Sequence, residues 1–267
     1  MLHQEWRCAV DEAVTTQLSW SEERREQMRI EQACFHNQSQ GVSRGHYSQV
    51  FVQAVNLWKT TPRMRELVLD PALGKIAAEA GQCSGIHLYH DHALIKKPWA
   101  PATNWHVDNP GDPFTSIHQV MLWIALDDAS LSNGCMHFIN GSHKHAGFPV
   151  ENDICATFEQ AREASGLGDT NIAGCLANFP EWEGLPIGYG EIQAGGAILL
   201  SGAVAHSAGP NMSFGTRRAM AFVFMPEGAL KNENHGAIPD KLADRVPVGD
   251  LLRDNEHLPL LWSSSKL

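Results

Sequence analysis

The pattern of apolar and polar positions along the chain changes character after Gly81, and the change predicts two kinds of element. Residues 1–80 read as helical. Ser19 and Glu22 have capping-box spacing, and the charged run Glu22 to Gln32 has the composition of a solvated helix. From Tyr47 onward, Val50, Phe51, Ala54, Val55 and Trp58 recur at helical spacing and predict a helix with one buried face. Thr61-Pro62 and Asp70-Pro71 each place a capping side chain before a proline at the first helical position, and Gly81 closes the second of these helices. The expected result is a helical buttress over about residues 1–81.

Beyond Gly81 the apolar residues fall into short runs rich in β-branched and aromatic side chains. They predict strands at Ile86 to Ile95, Thr103 to Val107, His118 to Leu126, Cys135 to Ile139, Ala197 to Ser201 and Arg217 to Met225. Lys97-Pro98, Asn109-Pro110-Gly111, Ser132-Asn133-Gly134, Asn140-Gly141-Ser142, Ala194-Gly195-Gly196 and Gly209-Pro210-Asn211 separate them as turns. Many short strands with such punctuation predict an antiparallel sandwich or jelly-roll barrel, mostly β with flanking helices, spanning about residues 82–228. Val150 to Gly190 shows little strand patterning, with a possible short helix at Phe158 to Ala164 and then Phe179-Pro180-Glu181-Trp182. Its aromatic residues favour a lid-like insertion over a disordered segment. The tail, residues 229–267, is expected to pack along the surface, and the 267 residues suit a single domain.

Charge narrows the partners. A formal net charge of −10 and a pI near 5.7 disfavour nucleic acid and anionic membranes, leaving a small molecule as the expected ligand. Six cysteines without a C-x-x-C pair suggest neither a zinc knuckle nor a disulfide framework. Together with the lack of an apolar leader or membrane-length apolar run, they lead to the expectation of a soluble, cytoplasmic protein. Nothing in the sequence sets an oligomeric state.

The candidate chemistry centres on Asn104-Trp105-His106-Val107-Asp108. In an extended strand side chains alternate, so His106 and Asp108 share a face while Val107 points back into the packing. A second histidine from far along the chain, His206, would complete two His and one carboxylate on one face of a metal. That set characterises non-haem Fe(II) oxygenases.

The surrounding motifs extend this reading. They are Ala125-Leu126-Asp127-Asp128-Ala129, Asn133-Gly134-Cys135, Gly141-Ser142-His143, and His206 followed eleven positions later by Arg217. With the Trp-His-Val-Asp segment ahead of them, they resemble the phytanoyl-CoA dioxygenase family of Fe(II)- and 2-oxoglutarate-dependent oxygenases over roughly residues 47–225. The resemblance implies a double-stranded β-helix (jelly-roll, cupin-like) fold with iron held by His106, Asp108 and His206. Three protein ligands leave three octahedral positions, two for a bidentate 2-oxo acid and one for O2. The implied reaction oxidises a small molecule, most simply by hydroxylation, with release of succinate and CO2. A carboxylate at Asp108 fills the position that related halogenases leave open for chloride.

The far carboxylate of the cosubstrate needs a cation, and arginine suits it because its planar fork makes two parallel bonds. Burial pattern does not choose between Arg217, which shares a face with Ala219 and Ala221, and Arg218, which shares one with Met220 and Phe222. Family spacing selects Arg217. Trp123 is similar in place to a family tryptophan lining the 2-oxoglutarate pocket, although a core aromatic explains it equally well. The chain departs from the family where Ser207-Ala208 puts alanine two residues after the distal histidine, at a position often Ser or Thr, and where the usual opening strand is not visible. A zinc-dependent hydrolase could use the same ligand types. A non-catalytic jelly-roll binder would have no need of the arginine. His87, His90 and His92 read as surface or hydrogen-bonded groups, and Asp127 and Asp128 as turn caps.

Overall fold

The computed structural model describes residues 2–21, 24, 50–114, 116–145, 176, 179–236 and 238–264. Most of the charged run Glu22 to Gln32, the short helix at Phe158 to Ala164 and most of the lid-like insertion lie outside the described residues.

The N-terminal helix α1 (Leu2–Leu18) precedes two short helices that start as their sequences predict. In α2 (Pro62–Val68) the Thr61 side chain accepts from Met64 N, and in α3 (Pro71–Gly81) Asp70 accepts from Ala72 N. The left-handed residue ending α3 is Gln82 (φ 53), not a glycine. Gly81 is needed for a different reason, because a Cβ there would lie 2.7 Å from His118 O.

The predicted helix around Val50 to Trp58 is corrected by the structure. Phe51–Val55 is a strand, β1, followed by a 3-10 turn at Leu57–Lys59. Four of its five residues are buried, so period-two alternation is erased and the apolar run mimics a helix face. This strand also supplies the opening strand that the sequence did not reveal.

Eight of the remaining strands follow in order: β2 (Gly85–Lys96), β3 (Thr103–His106), β4 (Val120–Ala125), β5 (Met136–Ile139), β6 (Ile187–Gly190), β7 (Ala197–Ser201), β8 (His206–Ala208) and β9 (Arg217–Pro226). β10 (Leu260–Ser263) comes from the tail, which thus adds to a sheet and does not merely lie on the surface. The stretch before Gly190 likewise ends in a true strand, β6. Six strands form a large antiparallel sheet in the order β1-β2-β9-β4-β7, with β10 also on β2, and four form a smaller one, β3-β8-β5-β6. This is the jelly-roll arrangement. Two pieces share the outer edge of β2: β1 covers His92 to Lys96 and β10 covers Gly85 to His87. That edge is therefore closed against pairing with another chain.

The central strands of the large sheet, β2, β9 and β4, are buried on both faces. Met220, Phe222 and Phe224 of β9 pack with Ile86, Leu88 and the helices, whereas Ala219, Ala221, Val223 and Met225 face the interior with Met121 and Trp123. A third, small cluster of Val107, Ile139, Trp182 and Ala205 includes the 3-10 turn Pro180–Trp182. Among the described residues no helix is long and apolar enough to cross a membrane.

Asp91 of β2 is fully buried and accepts from Leu57 N at 2.9 Å and Trp58 N at 3.3 Å, fixing the turn after β1. Burial pushes its pKa up to about 7, against the pull of those two amides and Lys59. The folded protein therefore holds a proton that the unfolded chain releases near the ordinary value of 3.8, and stability should fall as pH rises from about 4 to about 7. Urea midpoints across that window are expected to decline in the wild type and to flatten in Asp91→Asn.

Candidate metal centre

The pairing of β3 with β8 sets His106 directly opposite His206, with ring centroids 4.2 Å apart. β3 ends at His106, so strand alternation does not itself carry Asp108. Val107 turns into the cluster with Trp182, and Asp108 adopts helical backbone (φ −74, ψ −47) at the head of a 3-10 turn, Asn109–Gly111. The turn returns the carboxylate to the histidines: Asp108 Oδ1 lies 3.5 Å from His106 Nε2, and Oδ2 lies 3.8 Å from His206 Nε2. One ligand atom from each residue falls within 4.8 Å of the others, a set that could hold a metal ion.

His206 and Asp108 are braced from behind. His206 Nδ1 is 2.9 Å from Val204 O, which takes its proton and leaves the Nε2 lone pair for a metal. Ala205 is held on both sides, donating its N–H to the buried Ser142 Oγ at 2.9 Å and accepting from Ile139 N at 3.0 Å. Ser142 of the Gly141-Ser142-His143 motif thereby positions the strand bearing His206. Asn109 N bonds Gly202 O at 3.0 Å and ties the Asp108 turn to the turn before His206.

The donor set fits a cation. Asp108 Oδ2 is buried with no hydrogen-bond donor among the described residues, and a buried carboxylate oxygen without a donor or ion is costly.

Arg217 and Arg218 part ways as strand alternation requires. Arg218 points to the helix side and pairs with Asp11 at 3.0 Å and Asp127 at 2.9 Å. Arg217 is 2 % exposed inside the barrel, its Nη1 on Leu94 O at 3.2 Å and its Nε without a partner. Among the described residues no carboxylate pairs with it. Burial pulls its pKa down to about 10, which leaves it charged at neutral pH. Trp123 is also buried, its ring centroid 5.6 Å from the guanidinium carbon, so it belongs both to the core and to the surroundings of Arg217. Asp127 and Asp128 do bond backbone donors, Arg218 N and Ala194 N.

Three polar groups escaped the sequence reading. Lys96 is fully buried and directly opposite Arg217 in the sheet. Its ammonium donates to Gly209 O at 2.6 Å, Pro101 O at 3.0 Å and Ala208 O at 3.3 Å, tying the start of β3 to the end of β8. Burial, then Arg217 beside it, holds its pKa well below the ordinary lysine value. Gly134 leaves room for it, since a Cβ there would meet Gly209 O at 2.6 Å and Lys96 Cδ at 3.1 Å. Lys96→Met should strand three carbonyls and lower stability by about 1–3 kcal/mol, read as a lower urea midpoint at unchanged slope.

His90 and His92 are the other two. They are 4 % and 5 % exposed, which corrects the surface alternative, with their Nδ1 atoms 3.3 Å apart. Burial, then His92, holds His90 well below its usual pKa, and burial brings His92 to about 4. His87 is buried as well, its Nδ1 on Leu258 O at 2.8 Å.

The sequence pattern of the phytanoyl-CoA dioxygenase (PhyH) family matches residues 14–219. The chain belongs to that family. A phytanoyl-CoA dioxygenase domain-containing protein 1 of Rattus norvegicus is 33% identical over 104 residues, 39% of this chain and 32% of the rat protein. The match thus spans about a third of that relative's length. Among solved structures, the non-haem α-ketoglutarate-dependent carbocyclase SnoK from nogalamycin biosynthesis superposes with TM-score 0.61 at 21% identity, covering 92% of this chain and 98% of SnoK. The epimerase SnoN, in complex with Fe3+, α-ketoglutarate and nogalamycin RO, gives TM-score 0.60 at 22% identity, covering 80% and 79%. At these identities the two structures show that the phytanoyl-CoA dioxygenase family member described here shares their fold. The family depends on Fe(II) and 2-oxoglutarate, and the His-Asp-His donor set is of the kind that such an ion takes.

Proposed function

We propose that the protein is an Fe(II)- and 2-oxoglutarate-dependent oxygenase that hydroxylates a small molecule in the cytoplasm. His106, Asp108 and His206 are the residues that would hold the iron, and Arg217 the one that would receive the distal carboxylate of the cosubstrate. When bound, the iron and 2-oxoglutarate supply the oxidising chemistry: one oxygen of O2 ends in succinate as CO2 leaves, and the other is inserted into a substrate C–H bond.

The observation that carries the reading is Arg217. A buried guanidinium without a carboxylate partner among the described residues is a standing demand for an anion, and a binding protein or a zinc hydrolase has no use for one inside the barrel. Ala219 and Ala221, next on the same face of β9, leave a floor free of bulky side chains beside Arg217, with Trp123 at one side. The chain's own residues thus bind the two ends of a keto acid, orient it and line its bed with apolar groups that keep water out.

Anaerobically purified protein loaded with Fe(II) should bind 2-oxoglutarate and release succinate in a metal-dependent way, faster when a true substrate is added from a metabolite screen. Tight zinc with no affinity for 2-oxoglutarate would overturn the proposal in favour of a hydrolase.

A further inference from the structure

Two loops meet at the end of the barrel away from the metal ligands. One, residues 97–102, leads from β2 to β3, and the other, residues 209–216, leads from β8 to β9. They adjoin the Lys96–Arg217 end of one strand pair and the Thr103–Ala208 end of the other, whereas His106 and His206 stand at the opposite end of β3 and β8. A buried asparagine holds both loops. The Asn211 amide donates to Lys96 O at 2.9 Å, Lys97 O at 3.1 Å and Gly215 O at 2.8 Å, and its Oδ1 accepts from Ser213 N at 3.0 Å and Ser213 Oγ at 2.7 Å. Trp99 N donates to Asn211 O, and Asn211 N to Ala100 O, both at 2.8 Å.

What this rigid frame presents to solvent is apolar. Phe214 is 89 % exposed, Met212 60 % and Trp99 52 %, with the Trp99 and Phe214 rings edge to face at 5.6 Å. Leu131, next to the Ser132 carbonyl that accepts from Met212 N, is 50 % exposed. Trp99 is moreover held at φ 67, a left-handed conformation that is costly for a bulky residue and that glycine adopts freely. Its indole stays half in water, where burial offsets little of that strain. A strained backbone that turns a tryptophan outward, inside a contiguous apolar patch, marks a surface that something covers.

The distribution of charge says what the cover is. With a net charge of −10, copies of this chain repel one another over most of their surface. Lys97 is the one charged residue in the stretches 97–102, 130–133 and 210–216, so this face escapes the repulsion. Glu191, which accepts from Leu131 N at 3.0 Å, supplies an anion at the Leu131 margin, opposite in sign to Lys97 at the Trp99 margin. An apolar centre with a cation at one margin and an anion at another is complementary to itself about a two-fold axis. We propose that this face is the interface of a homodimer, in which Phe214 of one copy packs against Trp99 and Met212 of the other and Lys97 faces Glu191 across the rim. The four apolar side chains present on the order of 400 Å². That is about half of the roughly 800 Å² per partner in a standard interface, and the uncharged polar residues of the two loops supply the rim.

Sedimentation velocity of the full chain, from low to high micromolar concentration, should show a species of two chains. Phe214→Glu sets two like charges at the centre of the interface and should raise the dimer Kd by at least about 100-fold. Trp99→Gly should also dissociate the dimer with its circular dichroism unchanged, since glycine takes φ 67 without strain. Charge reversal at the rim is the independent check: Lys97→Glu should weaken the dimer several-fold, and Lys97→Glu combined with Glu191→Lys should restore it. A wild type that stays monomeric at every concentration overturns the proposal, as does a dimer that Phe214→Glu and Trp99→Gly leave intact. Flotation with phosphatidylcholine vesicles tests the other occupant: a monomeric chain that binds them, and loses that binding in Phe214→Glu, would replace the second copy with a lipid surface.

Discussion

Asp108→Ala should lose iron and turnover together while the fold stays intact. The carboxylate is the one anionic member of the triad and reaches towards both histidines through separate oxygens, at 3.5 and 3.8 Å. Outer partners of metal ligands alone cost about 10- to 100-fold in affinity when removed, so loss of a ligand should exceed about 100-fold. Iron content after anaerobic loading, and succinate release, check this. A second readout separates a metal ligand from a structural residue. Asp108 Oδ2 is buried without a donor among the described residues, so the metal-free alanine variant should melt no lower than metal-free wild type. A variant that unfolds, or one that keeps its iron, would remove Asp108 from the site.

Arg217→Met should spare the iron and cost the cosubstrate. Two charge-assisted hydrogen bonds from one guanidinium, at about 1.5–3 kcal/mol each, correspond to at least a roughly 100-fold rise in the Kd for 2-oxoglutarate. Arg217→Lys should recover only part, because a point charge cannot reproduce the fork. Arg218→Met is the matched control: its partners Asp11 and Asp127 lie outside the barrel, so cosubstrate affinity should not change. The associated stability loss should be about 1 kcal/mol or less. Equal effects at the two positions would discard the assignment of Arg217.

The contrast between these two arginines shows what was readable in the sequence. β9 is covered on both faces, so hydrophobicity could not say which arginine points inward, and only the spacing from His206 did. The same double burial hid β1, whose apolar run has no alternation left to reveal a strand. Ala197 to Ser201 and the Thr61 and Asp70 caps were legible because they depend on local pattern and on side chains bonding their own neighbours. The triad was legible as a set of residue types, although a turn, not a continuing strand, delivers Asp108. Lys96 and the His90–His92 pair were not. Their roles depend on carbonyls and rings brought up by the fold, some of them more than a hundred residues away, as Gly209 is from Lys96.

The two-part cover on β2 has a kinetic side. The strand that completes this edge, β10, comes from far along the chain: His87 bonds Leu258 across a separation of 171 residues. Loops of that length close slowly, and long-range β pairings are among the last to form. Until β10 arrives, the first half of β2 offers bare amides and carbonyls to any passing strand. Refolding should therefore show a late phase during which the protein is prone to aggregate, and dilution during refolding should improve its yield.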